Sequence, residues 1–513
     1  MEVAVIGGGI AGLTAAWLLA PHHRVTLFER QAQPGLVASS VAVDVGSGCL
    51  AQGPADALLV DLPLRVFYPG YYPQLMRLYQ ALGVATEPVS YAATFVDGDG
   101  HSYFRWRNLR LGGTSLPYVL PHDLGGTPAW RIVAGALRFR RLALAALRRG
   151  DLVGRTLGDF VASAGLAPEF VRGLLLPTLA TVATCSHADA LAYPADVVAG
   201  YLASGVARQS VRRALHGADD VARRLTAPLH RVVCSAAVEA VEQRADGVWV
   251  HGALRGERQG GQVEPCGRVD PGGRVEPGGP RDAPGPSSQD RSLRFDHVLL
   301  ATQANQALAL WRSATAAERS ALADFSYRSL QVVMHRDETL LPARRSDWSA
   351  VNARVCAEQD RPQSTIWINA VQPALRLGAP LFQTVMPHRA PRADRVLASA
   401  HFERPLVTAT SQRALSALAA LHQQPERRVW LCGSYAHSGV PLLESAVRSA
   451  YAVAERLLAG AAAAAPAVAS ALAPASPWAS ERSPACAGTG PGTGPGTGPC
   501  NGPGSGLRAA HKA

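Results

Sequence analysis

Two short, mainly apolar runs, 2–6 and 25–28, flank a glycine turn and a small-residue apolar stretch at 13–19. Runs of this length bounded by turn signals predict buried strands, and the stretch between them predicts a helix. Helical spacing at 72–82, 131–149, 156–164, 169–184 and 195–202 then predicts a helix-rich region. A helix at 218–226 and a strand at 232–242 follow. Short runs at 328–335, 349–356, 364–370, 381–386 and 396–403 predict a mostly antiparallel sheet. An apolar strand at 429–432 and an amphipathic helix at 444–458 close the pattern.

Two segments break it. Residues 254–292 carry a hexapeptide-like repeat starting at Val263, Val269 and Val275, and 459–513 pass from Ala/Pro to Gly/Thr/Pro. Their Pro and Gly density predicts disorder. The first interrupts a β-run formed by 248–250 and 295–301. The element order implies an α/β fold class: a Rossmann-type nucleotide domain built from discontinuous segments, plus an inserted α+β domain. On this reading 1–60, 206–315 and 426–458 form the nucleotide domain. Residues 61–205 form the helical part of the inserted domain and 316–425 its sheet part, and 459–513 form a tail.

The first turn carries chemistry. Gly7-Gly8-Gly9-Ile10-Ala11-Gly12 joins the first strand to the first helix, and Glu29 ends the second strand. Gly7 permits the tight turn, Gly9 admits a pyrophosphate to the backbone, and Gly12 lets helix and strand pack closely. A diphosphate sits well at a helix N-terminus, where unpaired N–H groups and the dipole favour negative charge. Glu29 can accept from the two ribose hydroxyls of an adenosine and would repel a 2′-phosphate, which disfavours NADP.

Composition narrows the partners. The chain of 513 residues has a net charge of +11, and Lys512 is its only lysine, so nearly all the positive charge is arginine. The densest arginines, Arg138, Arg140, Arg141, Arg148 and Arg149, interleave mainly with Leu and Ala, with Phe139 the one aromatic among them. That argues against a nucleic-acid binder and leaves a solvated helix face or attraction to an anionic membrane surface. The cysteines, Cys49, Cys185, Cys234, Cys266, Cys356, Cys432, Cys486 and Cys500, form no CxxC pair. They suit a reducing compartment, and a cytoplasmic location is expected. No metal site is expected, since the histidines lack ligand spacing. No uninterrupted run of about 20 apolar residues suggests a spanning helix.

Two later segments converge on the same ligand. A strand at 295–300 delivers Ala301-Thr302 at its carboxyl end, where ligands bind in such sheets. The strand at 429–432 leads into Gly433 and Ser434, then into a helix beginning near Glu444-Ser445-Ala446. With the stretches 11–19, 72–84, 176–177, 192–195 and 432–435, the chain resembles the FAD-dependent amine oxidase and phytoene desaturase superfamily, and within it a group of uncharacterised NAD/FAD-binding oxidoreductases. The resemblance spans most of 1–458. It implies FAD as cofactor, with Gly7, Gly9, Ile10, Ala11 and Gly12 at the pyrophosphate and Glu29 and Arg30 at the adenosine end. It further implies Val238 beside adenine, Ala301, Thr302, Gly433 and Ser434 along the dinucleotide, and Glu444, Ser445 and Ala446 facing the isoalloxazine.

The departures matter as much. Gly35-Leu36 stands where the superfamily has paired glycines, Asp61-Leu62-Pro63 where it has an acid and glycine, and Ser434 where an acid is common. No lysine precedes Lys512, so the lysine-held water of amine-oxidising relatives has no counterpart. Arginine is a poor substitute because it keeps its proton. Catalytic residues stay unassigned. His437 and Tyr435, in the 433–439 loop, are either surface or packing residues or contacts at the flavin. The aromatics Phe67, Tyr68, Tyr71 and Tyr72 are either core or a cleft wall, and Cys432 is read as an inert core thiol. The expected activity is hydride transfer from a C–H of a small-molecule substrate to flavin N5, with the substrate's identity open and a lipophilic compound the candidate. A flavin-dependent isomerase or mutase and a non-catalytic flavoprotein are the alternatives, and oligomeric state is open.

Overall fold

In the computed structural model, residues 1–44, 57–111, 114–120, 127–206, 209–254 and 291–464 are described. Five parallel strands form the first sheet, in the order Arg231–Val233, Arg24–Phe28, Glu2–Ile6, His297–Leu300, Val429–Leu431. They come from the start, middle and end of the chain. Being covered on both faces, they are apolar beyond their first residues, save for the buried Thr26. Val3 and Val5 pack with the helices Ile10–Leu19, Gly217–Thr226 and Leu443–Ala464, whereas Ala4 and Ile6 face the other way. That other face is covered by a three-stranded antiparallel sheet, Ala236–Arg244, Gly247–Leu254 and Arg291–Phe295, and by the helices Ala304–Leu310, Ala316–Ala323 and Ala409–Leu421.

The second large sheet has eight strands, in the order Val396–Pro405, Tyr327–His335, Phe382–Val385, Gln363–Trp367, Val351–Arg354, Ala93–Val96, Ser102–Leu111, Thr114–Tyr118. All its pairings are antiparallel except that of Val351–Arg354 with Ala93–Val96. This corrects the helical reading of 61–205, which contributes three strands to the sheet completed by 316–425. Its interior holds a polar chain: His335 Nε2 lies 2.7 Å from Thr384 Oγ1, which lies 2.9 Å from Thr365 Oγ1. His335 Nδ1 accepts the Asp337 N–H at 3.0 Å.

Other expectations shift locally. The first helix begins at Ile10, not at 13. The strand expected at 232–242 is two strands that belong to different sheets, broken where Ser235 takes φ 55°. The helix expected at 169–184 contains a π turn at Val171–Leu175. Pro177 has no N–H to give the Gly173 carbonyl, which takes the Tyr103 hydroxyl at 2.9 Å instead. At 368–371 the chain turns helical where strand was expected. The ends of the 254–292 segment are strand, and 459–464 continue the last helix. The rest of both segments lies outside the described residues. No helix among the described residues is long and apolar enough to cross a membrane.

Candidate functional site

The first strand ends in a turn that needs its glycines for different reasons. Gly7 has φ 108°, donates its N–H to the Phe28 carbonyl at 2.8 Å, and would bring a Cβ to 2.8 Å from the Ala301 carbonyl oxygen. Gly12 faces the same turn so closely that a Cβ would lie 1.9 Å from the Gly7 oxygen. Gly9 differs: it caps the helix without a side-chain hydrogen bond, and a Cβ there would meet nothing within 4 Å. The first intrahelical bond runs from Leu13 N–H to the Gly9 carbonyl, so the N–H groups of Ile10, Ala11 and Gly12 remain at the free end of the helix. Open space over Gly9, bare N–H groups and no acid in the first turn together fit an anionic pyrophosphate.

Glu29 is buried at the end of the second strand, and its carboxylate accepts the Gly8 N–H at 2.7 Å and the Gln31 N–H at 2.9 Å. A carboxylate has about four lone-pair sites, so two remain for ribose hydroxyls. Gly8, which carried no role in the sequence, makes room here for the Glu29 carboxylate: its Cβ would sit 2.9 Å from Glu29 Oε2 and 3.2 Å from the Gly35 nitrogen. Leu36 N–H donates to the Gly8 carbonyl at 3.2 Å, so the Gly35-Leu36 departure still closes on the first turn. Arg30 is exposed. Val238 lies just before a register shift in the strand Ala236–Arg244, whose first N–H, from Ala236, donates to the Glu29 carbonyl at 2.9 Å.

The other segments meet this turn. Ala301 N–H donates to the Ile6 carbonyl at 2.8 Å, and Cys432 N–H to that of Leu300 at 3.2 Å. A Cβ on Gly433 would touch the Tyr435 ring at 2.8 Å and approach the Thr302 carbonyl at 3.3 Å. Gly433 N–H donates to Ser449 Oγ at 2.9 Å, and that hydroxyl donates to the Ala446 carbonyl at 2.8 Å. Ser449, which sequence reasoning missed, thus stitches the last strand to the last helix. Ser434 is half-buried beside this turn, and Ser445 Oγ donates to the Val440 carbonyl at 2.8 Å.

Glu444 has a second task at this helix start. Its buried carboxylate accepts the N–H groups of Gln74 at 3.1 Å and Leu75 at 3.0 Å and pairs with Arg448 at 2.9 Å. It therefore caps the helix Pro73–Ala81, whose own N-cap residue, Tyr72, supplies no side-chain bond. Burial nevertheless holds its carboxyl pKa above the usual range. Asp61 acts alike, accepting the Ala218 N–H at 3.1 Å at the start of Gly217–Thr226. The backbone N–H groups of Leu443, Glu444 and Ser445 precede the first intrahelical bond, Ala446 N–H to Leu442 carbonyl, and are the donors this end offers.

The aromatic segment is core rather than cleft. Phe67, Tyr68 and Tyr72 are buried, and Tyr71 packs edge-on to Tyr201 at 4.8 Å while its hydroxyl accepts the Val440 N–H at 2.8 Å. Tyr435 is buried against Phe325, its hydroxyl without a partner among the described residues. His437 is half-buried, bonded to the Ser438 carbonyl at 2.9 Å, and burial lowers its pKa. Cys432 is fully buried, which pushes its thiol up to about 12, consistent with an inert core residue. Arg404, half-buried at the end of Val396–Pro405, has its pKa lowered by burial and by Arg65, and no acid is paired with it among the described residues. Nothing in the sequence set it apart from the other arginines. Asp97, Asp99 and His101 converge on a turn despite lacking ligand spacing, but one Asp97 oxygen is taken by the Asp99 and His101 N–H groups.

A family model described as an NAD(P)-binding Rossmann-like domain matches residues 5–82. No curated protein matches the chain. Among solved structures, the chain is similar to wild-type putrescine oxidase bound to putrescine, at 13% identity and TM-score 0.55, over 90% of this chain and 99% of that one. It is similar to cyclohexylamine oxidase from Brevibacterium oxydans IH-35A, at 14% identity and TM-score 0.54, over 89% and 99%. A CLA-producing fatty acid isomerase from P. acnes matches equally well, at 13% and 0.54, over 88% and 98%. These likenesses show the fold: a Rossmann-like nucleotide domain joined to a large second domain.

Proposed function

We propose that this chain is an FAD-dependent oxidoreductase that holds its flavin non-covalently and acts on a lipophilic small molecule. The observation that carries the reading is the bare helix N-terminus under Gly9, with Glu29 on one side and Ala301, Thr302 and Gly433 on the other. The helix start would hold the pyrophosphate, Glu29 the adenosine ribose, and the N–H groups at 443–445 an electron-rich edge of the flavin ring. Bound FAD would supply the redox chemistry, accepting hydride at N5. The protein's part is to align a substrate C–H and to keep water out. The buried, high-pKa thiol of Cys432 argues against a covalent flavin link.

A substrate that needs no protein-held lysine fits the absence of lysine before Lys512. The equal likeness to a fatty acid isomerase supports an unsaturated acyl substrate and keeps double-bond isomerisation as a second reading. A cytoplasmic site belongs to the same proposal, supported by the free thiols of Cys185, Cys356 and Cys432. Anaerobic reduction of the flavoprotein by amines and by unsaturated lipids tests it. Lipid-driven bleaching, or a double-bond shift without net oxidation, is expected. Fast, saturable reduction by a simple amine would refute the substrate class.

A further inference from the structure

The helix Thr127–Arg149 has two faces of opposite character. Ala129, Ile132, Phe139, Ala143 and Ala146 are buried in the core at helical spacing. On the outward face Trp130 is 54% exposed and Leu137 67%, and Val153, in the turn after the helix, is 77% exposed. Three of the four most exposed large apolar side chains among the described residues therefore lie within 130–153. Isolated exposed apolar residues need no explanation, but a cluster does.

The charge on this face is one-sided. The helix carries Arg131, Arg138, Arg140, Arg141, Arg148 and Arg149 and no acid. Arg131 pairs with Glu169, Arg138 donates to the Ala164 carbonyl, and Arg149 pairs with Asp151. Arg140, Arg141 and Arg148 have no bond or ion pair among the described residues. Ala129 and Ile132 seat the helix against Phe95 and Phe104. The strand Ser102–Leu111 that carries Phe104 also carries Leu109, 49% exposed, paired in register with Leu116, 41% exposed.

We infer that the outward face of Thr127–Arg149, with Val153, docks on the surface of an anionic lipid bilayer. Charge complementarity selects that occupant: unpaired guanidinium groups attract lipid phosphates, while Trp130, Leu137 and Val153 enter the boundary between headgroups and acyl chains. Trp favours that boundary, and Arg reaches from it into water. The inference stands apart from the flavin reading, since none of these residues belongs to the nucleotide site.

The test is co-sedimentation of the full-length protein with phosphatidylcholine vesicles, with and without phosphatidylglycerol, at low and high salt. Binding is expected only to the anionic vesicles, and it should weaken as salt screens the charges. At about fivefold per arginine, the Arg140→Gln, Arg141→Gln, Arg148→Gln triple variant should bind about 100-fold more weakly. Trp130→Ala with Leu137→Ala should also weaken binding, and both variants should keep the wild-type melting temperature because Trp130, Leu137, Arg141 and Arg148 are exposed and the half-buried Arg140 makes no bond among the described residues. Equal binding to both vesicle types, no binding to either, or wild-type binding by the triple variant would overturn the inference. So would concentration-dependent self-association that depends on Trp130 and Leu137 in a protein that ignores vesicles.

Discussion

Gly9 is the position at which folding and cofactor binding separate. Its backbone, φ −72° and ψ 175°, suits any residue, and a Cβ there meets nothing within 4 Å. Gly9→Leu should therefore leave the apoprotein folded, at a cost of about 1 kcal/mol for the poorer helix cap. The same side chain fills the approach to the N–H groups of Ile10, Ala11 and Gly12, so flavin content should fall to background. Gly12→Ala is the contrast. Its Cβ would lie 1.9 Å from the Gly7 carbonyl oxygen, an obstacle that is backbone and cannot rotate away. Turn and helix would have to separate by about 1 Å or more, and overpacking of this kind costs about 3 kcal/mol. The assay pairs thermal unfolding of each apoprotein with visible flavin absorbance per chain after purification. Wild-type flavin content in Gly9→Leu would refute the placement of the pyrophosphate. An apoprotein of Gly9→Leu as unstable as Gly12→Ala would refute the account of the turn.

Glu444→Gln should cost about 2–4 kcal/mol in a urea titration, because a buried carboxylate holding two N–H groups and an arginine is lost. A change within error would show that Pro73–Ala81 needs no cap from the last helix. His335 is fully buried and its pKa is lowered from 6.5 to about 4 by desolvation. The unfolded chain therefore binds a proton that the folded chain refuses. Stability present above pH 6.5 should fall as pH drops toward 4, by about 3 kcal/mol from this residue, and a urea midpoint that is flat across that window would contradict it. Cys432 should stay unreactive to thiol reagents until the protein unfolds, so native thiol counts of Cys432→Ala and wild type should match.

What the sequence revealed was local. Gly7, Gly9, Gly12 and Glu29 fall within one βαβ unit whose spacing and side-chain chemistry are readable together, and the structure shows close backbone packing at Gly7 and Gly12 and open space over Gly9. Gly8 was silent because the room it makes is for the Glu29 carboxylate, 21 residues on but 2.7 Å from its nitrogen. The side-chain contacts of Glu444 were silent for the same reason, since the N–H groups its carboxylate accepts lie 370 and 369 residues away. The strands of 93–118 escaped because Arg105 is buried with its charge met by Asp347 at 3.1 Å, so the polar–apolar alternation there does not report burial. Arg404 escaped because an arginine in a chain with so many gives no signal until its lack of an acidic partner is seen.

The most direct test of the central claim is acid precipitation of the purified protein, with the released chromophore identified. The account predicts a yellow supernatant containing FAD, with one flavin per chain at most and a colourless pellet. A colourless protein, a colour retained in the pellet, or a released nicotinamide dinucleotide in place of FAD would contradict it.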